Sequence, residues 1–155
     1  MVFAHYPATS RSVYCVGFDP SGKKLVSGSY DKTVKVWSVG SSGTFECEST
    51  LDVDGQVSSL DFSPCGTKIA AGCNDFQNNN YTVKILSSSS ESAGTFECQS
   101  TLRGDKAVHC VSFSPDGDML AAGDGNYRGG NVRLYDVQTG EVKSTLTGHR
   151  YVPSL

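Results

Sequence analysis

One segment type recurs three times along the chain, and this repetition constrains the fold more than any other feature. Each copy contains a short apolar strand that ends in phenylalanine, then a proline turn, then a strand of small residues. The three phenylalanines are Phe18, Phe62 and Phe113, which are spaced by 44 and 51 residues. A period of this size is typical of proteins built from stacked supersecondary units. The 155 residues therefore predict a single repeat domain.

The turn after each phenylalanine has the same chemistry in all three copies. The segments are Asp19-Pro-Ser-Gly22, Ser63-Pro-Cys-Gly66 and Ser114-Pro-Asp-Gly117. Asp or Ser first, Pro second and Gly fourth is the pattern of a type I β-turn, because proline presets φ at the second position. Each phenylalanine strand and the strand after it are therefore predicted to form a hairpin.

Two further strands complete each unit, and no segment of the chain has a helical pattern. The third strands alternate apolar and polar or basic residues, which indicates half-buried strands. The fourth strands of the first two units are near copies of each other, which supports the same register. The second strands are residues 24–28, 68–72 and 119–123, the third are 33–37, 82–86 and 131–135, and the fourth are 44–51, 95–102 and 141–146. A four-stranded unit of this size cannot bury two sheet faces alone, so we expect the units to stack radially.

Composition and charge exclude several classes of protein. The net charge of -3 argues against a nucleic-acid partner or an anionic membrane surface. No apolar run approaches the length of a membrane span, and the first residues do not resemble a signal peptide. We therefore expect an intracellular protein, cytoplasmic or nuclear, without a membrane or nucleic-acid partner.

The six cysteines follow the repeat and do not form a bridging scheme. Cys15 and Cys110 occupy one repeat position, and Cys47 and Cys98 occupy another. No Cys-x-x-Cys pair is present for zinc or redox chemistry. The prediction is a set of reduced, mostly buried thiols, with no metal and no cofactor.

The segment from Gly28 to Trp37 closely resembles the WD40 repeat. The pairs Tyr135-Asp136 and Gly148-His149 stand where that family has its Trp-Asp and Gly-His dipeptides. The resemblance implies an all-β fold of WD40-type β-propeller blades, each with four antiparallel strands. It also implies a rigid platform for protein–protein contacts that is rarely catalytic.

The repeat count predicts an incomplete ring of about three and a half blades in a single WD40 repeat region, residues 1–155. Propellers typically close with about four to eight blades. Either the sequence is part of a longer propeller, or copies associate to complete the ring. A lone arc would expose an apolar face at each end. The predicted repeats are approximately residues 10–51, 54–102 and 105–146, with the start of a fourth at 149–155.

The resemblance also implies structural positions, which this chain fills only in part. In the family, a His, a Ser or Thr, an Asp and the Trp can form a buried hydrogen-bonded set. Asp54 and Asp105 fall where the His is expected in the second and third units, and no unit is complete, so we expect apolar packing to hold the blades. The matching positions are Ser27, Asp31, Trp37, Asp75, Tyr135, Asp136, Gly148 and His149.

The sequence offers few candidates for catalysis. His109 lies within a predicted strand, where a packed or solvent-facing side chain is expected, and no Ser-His-Asp set is apparent. The glycine-rich segment 123–130 does not match the spacing of a phosphate loop, and no helix follows it. We expect no catalytic, cofactor or metal residues, and we interpret this segment as a lengthened loop.

That loop and its counterpart at residues 75–81 carry the best candidates for function. Loops between second and third strands, and those before first strands, open on one end of a propeller. Exposed aromatic residues and arginine are enriched at binding hot spots. The predicted partner-binding residues are Arg11, Tyr30, Phe76, Tyr81, Lys106, Tyr127 and Arg128.

The sequence therefore predicts a non-catalytic scaffold that presents propeller loops to other proteins or peptides. One alternative is a fragment of a larger regulator or enzyme whose catalytic activity lies outside this segment. Self-association, or blades supplied from elsewhere, would complete the propeller. The discriminating feature of an enzyme working within the propeller would be His, Asp or Glu clustered near the central channel, and the sequence supplies little of this.

Overall fold

The computed structural model describes residues 12–88 and 95–149, and within these ranges it contains twelve β-strands and no helix. Arg11 and most of the predicted fourth repeat at 149–155 lie outside the described residues. The strands are β1 Val13–Phe18, β2 Lys24–Ser29, β3 Thr33–Val39, β4 Phe45–Asp52, β5 Gln56–Phe62, β6 Lys68–Asp75, β7 Asn80–Ser88, β8 Phe96–Gly104, β9 Ala107–Phe113, β10 Met119–Asn126, β11 Gly129–Asp136 and β12 Val142–His149.

The strands form three separate four-stranded antiparallel sheets, each in sequence order. We call β1–β4 blade 1, β5–β8 blade 2 and β9–β12 blade 3. Each first strand is an edge of its own sheet, and the first strand of blade 2 packs against the first strands of both neighbours. The predicted all-β fold of incomplete WD40-type propeller blades is confirmed.

The three predicted turns form as their sequences indicate. The backbone N–H of Gly22 donates to the carbonyl of Asp19 at 3.0 Å, and Gly66 and Gly117 make the equivalent bond at 2.8 Å. The φ angles of these glycines lie between 72° and 79°, a left-handed region that side chains disfavour. Glycine is therefore required at the fourth position of each turn.

Two apolar cores lie between the three blades, and blade 2 contributes to both. In β6, Ile69 and Ala71 face blade 1 while Ala70 faces blade 3, as the two-residue period of a strand requires. The core between blades 1 and 2 contains Val26, Val34, Val36, Val57, Phe62, Ile69, Ala71, Cys73, Leu86 and Phe96. The core between blades 2 and 3 contains Ala70, Val83, Ile85, Leu102, Val108, Val111, Phe113, Leu120, Ala122, Tyr135 and Val137.

Blades are in close contact where a first-strand valine rests on a second-strand glycine of the preceding blade. A methyl group on Gly28 would lie 2.9 Å from Cβ of Val57, and one on Gly72 would lie 2.9 Å from Cγ1 of Val108. Real Cβ atoms do not approach other heavy atoms this closely. Only glycine fits beneath each valine.

Side chains of blade 2 also accept the outward-facing N–H groups of β9. The N–H of Val111 donates to Oγ of Ser59 at 3.1 Å, and the N–H of Phe113 donates to Oδ2 of Asp61 at 2.7 Å. The edge strand of blade 3 therefore has hydrogen-bond partners across the junction, which buried backbone groups require.

The prediction of mostly buried thiols is wrong. All six cysteines are free; four are exposed, Cys15 is half-buried, and only Cys73 is buried. Cys47 and Cys98 lie on outer strands, and Cys65 lies in a turn. Burial raises the pKa of Cys73 to about 12.

The expected long loops between second and third strands are shorter than predicted. Strands β10 and β11 pair from Met119–Asp136 through Asn126–Gly129, so the glycine-rich segment is a hairpin with a two-residue turn. In blade 2, strands β6 and β7 likewise extend to Asp75 and Asn80. The extra residues lengthen the strands, which satisfies their backbone hydrogen bonds. Within the described ranges, no helix is long and apolar enough to cross a membrane.

Candidate functional site

The candidate site is one end of the three-bladed arc. Because the strands in each blade alternate in direction, the turns between second and third strands share an end with the loops that precede first strands. We call this end the loop surface. Of the residues predicted to bind partners, it carries Tyr30, Phe76, Tyr81, Lys106, Tyr127 and Arg128.

The aromatic side chains of the loop surface are arranged in pairs. Phe76 packs edge-to-face on Tyr81 with ring centroids 5.9 Å apart, and Tyr30 packs on Tyr14 at 6.0 Å. The guanidinium of Arg128 lies 5.3 Å from the ring centroid of Tyr127. Such contacts hold large side chains in place at the surface.

Exposure separates two of these aromatic residues from the others. Tyr127 is 71% exposed and Phe76 is 54% exposed, whereas Tyr30, Tyr81 and Lys106 are half-buried. Tyr127 and Phe76 are therefore the residues of this set with the most apolar area available to a partner.

Local hydrogen bonds hold both exposed aromatics on ordered turns. Oδ1 of Asn126 accepts the N–H of Arg128 at 2.9 Å, which fixes the turn that presents Tyr127. In blade 2, the side-chain amide of Asn78 donates to Oδ2 of Asp75 at 2.8 Å. The bond from Asn78 and, to a smaller extent, the bond that the N–H of Gln77 donates to Asp75 hold the pKa of Asp75 below its usual range.

Ionic contacts join neighbouring parts of the surface. Lys32 of blade 1 lies 3.7 Å from Oδ2 of Asp75 in blade 2. In blade 3, the ammonium of Lys106 donates to the carbonyl of Gly129 at 3.4 Å. The loops of blades 1 and 2 are therefore connected across their junction.

A groove of about 280 Å³ opens beside the last blade. Lys106, Arg128 and His149 line it together with the polar side chains of Asn131 and Thr147. The positive charges of Lys106 and Arg128 suit a carboxylate or another anionic group.

The structure places the predicted repeat positions in different environments. Nε1 of Trp37 donates to Oγ of Ser27 at 2.9 Å, so two members of the family set are joined. Oδ1 of Asp31 accepts from both the N–H and the hydroxyl of Thr33. The hydrogen bond from the Thr33 hydroxyl is the main reason that the pKa of Asp31 lies below its usual value.

In blade 3, the predicted repeat positions are separated along the sheet. Tyr135 is buried between blades 2 and 3, and Oδ1 of Asp136 accepts the N–H of Thr139 at the opposite end from the loop surface. Gly148 and His149 end strand β12, where they line the groove.

Sequence reasoning missed two acid–base pairs that join the loop before a first strand to the third strand of the same blade. The ammonium of Lys84 lies 2.5 Å from Asp54, and the guanidinium of Arg133 lies 2.6 Å from Asp105. The feature of the sequence that could have indicated these pairs is the basic residue at the centre of each third strand, which needs an acidic partner when it is half-buried.

Arg133 also contacts a second, buried carboxylate. Its Nε lies 3.0 Å from Oδ2 of Asp124. Burial acts to lower the pKa of Arg133, but the bond to Asp105 and the charge of Asp124 outweigh it and raise the pKa. Within residues 12–88 and 95–149, no group of three or more His, Cys, Asp or Glu side chains is arranged to hold a metal ion.

Comparison with known proteins identifies relatives of the whole repeat region. WD repeat-containing protein 18 of Danio rerio is 31% identical over 96% of this chain and 33% of its own length. The periodic tryptophan protein 2 homolog of Schizosaccharomyces pombe is 32% identical over 83% of this chain and 16% of its own. The nuclear distribution protein PAC1 of Gibberella zeae is 31% identical over 88% of this chain and 29% of its own. The chain therefore spans a third or less of the length of these relatives.

The family profile described as WD domain, G-beta repeat matches three segments, residues 2–38, 45–85 and 96–136. The segments are offset from the blades by one strand: residues 45–85 contain β4 of blade 1 and β5, β6 and most of β7 of blade 2, and residues 96–136 contain β8 of blade 2 and β9–β11 of blade 3. Together the three segments cover most of the sequence. The matched segments, the three antiparallel sheets and the relatives agree, and the chain belongs to the WD40 (WD domain, G-beta repeat) family.

Proposed function

We propose that this chain is a non-catalytic, intracellular scaffold that binds proteins or peptides through its loop surface. The observation that carries the proposal is the exposure of Tyr127 and Phe76 on turns held by local hydrogen bonds. The WD40 family supplies the general context, because its repeats are typically interaction platforms.

The physical advantage of such a surface is its order before binding. Association loses free energy when side chains and loops become fixed, and loops that are already held lose less. Tyrosine and phenylalanine provide large contact areas with few rotatable bonds, and arginine adds bidentate hydrogen bonding. Tyr127 and Phe76 would act as apolar anchors, with Arg128 beside the first of them.

The charge of the surface indicates a class of partner segment. Lys106 and Arg128 place two positive charges in the groove on blade 3. A peptide with an apolar residue next to one or more carboxylates would match both the exposed Tyr127 and this cationic groove. Rim charges of this kind mainly affect the association rate and its dependence on salt.

The test is the double substitution Phe76→Ala and Tyr127→Ala in the immobilised chain. Proteins retained from an extract of the source organism are quantified by mass spectrometry for the original chain and the variant. We expect the specifically retained proteins to fall at least tenfold, since hot-spot truncations cost about 2 kcal/mol or more.

The matched control is Val142→Ala, which removes a half-exposed apolar side chain at the opposite end of blade 3. It should retain the same proteins as the original chain. Circular dichroism should show unchanged strand content for both variants. If the double variant retains the same proteins in the same amounts, the loop surface is not the binding site.

A further inference from the structure

A cleft of about 500 Å³ opens on the side of the arc, between blades 1 and 2. Its volume lies within the range of about 300–1,000 Å³ that is typical of ligand pockets. Blade 1 and the segment that joins it to blade 2 contribute residues 50–54, and blade 2 contributes Lys84, Leu86, Phe96 and Cys98. We call it the side cleft. None of these residues belongs to the set predicted to bind partners at the loop surface.

The side cleft lies where blade 2 has an aliphatic residue and both other blades have an aromatic one. Each third strand places one residue opposite the first leucine or isoleucine of the second strand, and this residue is Trp37, Leu86 or Tyr135. Leucine fills less of the space between two blades than tryptophan or tyrosine does. The cleft that Leu86 lines is therefore at the position of a ring that blade 2 lacks.

The junction between blades 2 and 3 shows what a ring at this position contacts. Tyr135 is 4% exposed and belongs to the core between these blades. Its side chain interacts with Arg133, which also pairs with Asp105. Lys84 and Asp54 are the counterparts of Arg133 and Asp105 and form the equivalent ion pair. The side cleft thus retains the acid–base pair of this position without the ring beside it.

The remaining walls of the cleft also suit an aromatic ring. Leu86 and Phe96 are buried at its base, and Phe96 already packs edge-to-face on Phe62 at 6.3 Å. Cys98 is exposed at the cleft, and contacts between sulfur and an aromatic ring are favourable. A tyrosine ring combines an apolar body with a polar tip, which needs a hydrogen-bond partner when it is buried. Lys84 and its ion pair provide such partners.

One carboxylate at the cleft has no ionic partner. The neighbouring ammonium groups are engaged elsewhere, because Lys84 lies 2.5 Å from Asp54 and Lys35 donates to the hydroxyl of Thr50 at 2.9 Å. Asp52 is exposed, and among the described residues no cation pairs with it. The charge of Asp52 is therefore complementary to a basic residue of a partner.

From these observations we propose that the side cleft binds a tyrosine side chain of a partner peptide, with a lysine or arginine next to it in the peptide. The tyrosine ring occupies the space that Tyr135 fills in the junction between blades 2 and 3, and its hydroxyl reaches Lys84 or Asp54. The neighbouring basic residue meets Asp52. All lining residues belong to blades 1 and 2 and the segment that joins them, so the site does not depend on what adjoins the arc.

The first test follows the alkylation of cysteines with and without the peptide acetyl-Lys-Tyr-Lys-amide, by mass spectrometry of digested samples. Cys98 lines the cleft, whereas Cys47 occupies the same position of blade 1 and does not line it. In both, Sγ lies 3.6 Å from a serine carbonyl, that of Ser49 or Ser100. At a peptide concentration of about four times Kd, alkylation of Cys98 should slow about fivefold, because only the unoccupied cleft reacts. Cys47 should react at an unchanged rate.

Two control peptides test the chemistry of recognition. Acetyl-Lys-Leu-Lys-amide keeps the charges and lacks the ring, and acetyl-Glu-Tyr-Glu-amide keeps the ring and reverses the charges. Each should protect Cys98 only at concentrations at least about fivefold higher, since the first has no aromatic contact and the second places like charges at Asp52.

The second test fills the cleft from within the chain. Leu86→Tyr supplies the ring that Tyr135 supplies in blade 3, and it should abolish the protection of Cys98. Leu86→Met is the matched control, because methionine has a similar volume and no ring, and it should retain the protection. Circular dichroism melts show whether each variant is folded. The first test requires no substitution, so it decides the proposal even if Leu86→Tyr unfolds.

The outcomes separate this site from the loop surface. Protection of Cys98 alone, lost in Leu86→Tyr and retained in Leu86→Met, supports the proposal. Unchanged alkylation of Cys98 at peptide concentrations up to about 10 mM overturns it, as does equal protection of Cys47. Equal protection by either control peptide, or in folded Leu86→Tyr, also overturns it. None of these results involves Phe76 or Tyr127, so the function proposed for the loop surface is tested independently.

Discussion

The substitution Gly28→Ala tests the packing between blades most directly. The added methyl would lie 2.9 Å from Cβ of Val57 and 2.7 Å from Sγ of Cys15. Val57 is fully buried and cannot move into solvent. Overpacking of this kind costs about 1–3 kcal/mol, and the gain from a less flexible unfolded chain is about 0.4–1 kcal/mol. We expect a net loss of about 1–2 kcal/mol in the free energy of unfolding.

A double-mutant cycle with Val57→Ala isolates the contact. Val57→Ala alone removes two buried methyl groups, and we expect it to cost about 2 kcal/mol, with transfer and cavity contributions. In the double variant, the methyl of the new residue at position 28 fills part of the space left at position 57. The double variant should therefore lose about 1 kcal/mol less stability than the sum of the losses of the two single variants.

The assay is urea denaturation followed by circular dichroism. Changes in the midpoint at constant slope report stability. Gly123→Ala is the matched control. Among the described atoms its methyl meets only Cys110 of the same blade, whose exposed side chain can rotate into solvent, and no buried residue of another blade, so the expected change is within about 0.5 kcal/mol. Unchanged stability of Gly28→Ala, or an additive cycle, would refute the packing argument.

Two further predictions concern single side chains. Trp37→Phe should cost about 1 kcal/mol in urea melts, because it removes one neutral hydrogen bond to Ser27. Ser27→Ala added to it should cost little more, and a loss above about 3 kcal/mol would indicate a larger network than this bond. The hydroxyls of Ser63 and Thr67 lower the pKa of Cys65 to about 7, so its alkylation should be half-maximal near that pH. Thr67→Val should raise this midpoint, and an unchanged midpoint would show that the Thr67 hydroxyl does not lower the pKa of Cys65. Buried Cys73 should react far more slowly at the same pH.

Much of the fold was predictable because its signals are local. The turn after Phe18 depends on Pro20 and Gly22, and these residues act through their own backbone angles and the bond to Asp19. Strand alternation depends only on a two-residue period. The length of the β10–β11 hairpin was less predictable, because glycines such as Gly130 are compatible with both a loop and a strand.

The candidate site was predictable in position but not in detail. Repeat register placed Tyr127 and Phe76 on the same end of the arc, since turns between equivalent strands must share an end. Their exposure, and the half-burial of Tyr30 and Tyr81, depend on which rings pack together. Lys84 and Asp54 lie 30 positions apart, so the basic residue at the centre of the third strand indicates that a partner is needed but not which acidic residue it is.

The cysteines show the limit of repeat reasoning. Cys15 and Cys110 occupy the same repeat position, yet Cys15 is half-buried against blade 2 and Cys110 is exposed. A repeat assigns the same residue types to each blade. It does not state which blades have a neighbour on each side.

The sequence by itself determined the blade: four strands, their turns and the faces on which their apolar residues lie. These features follow from backbone angles and short-range periodicity, which each repeat carries within its own residues. Only the tertiary structure decided what each face contacts. Val57 is buried and Val13 is exposed although both occupy the same position, because burial depends on a neighbouring blade and not on the residue's own segment.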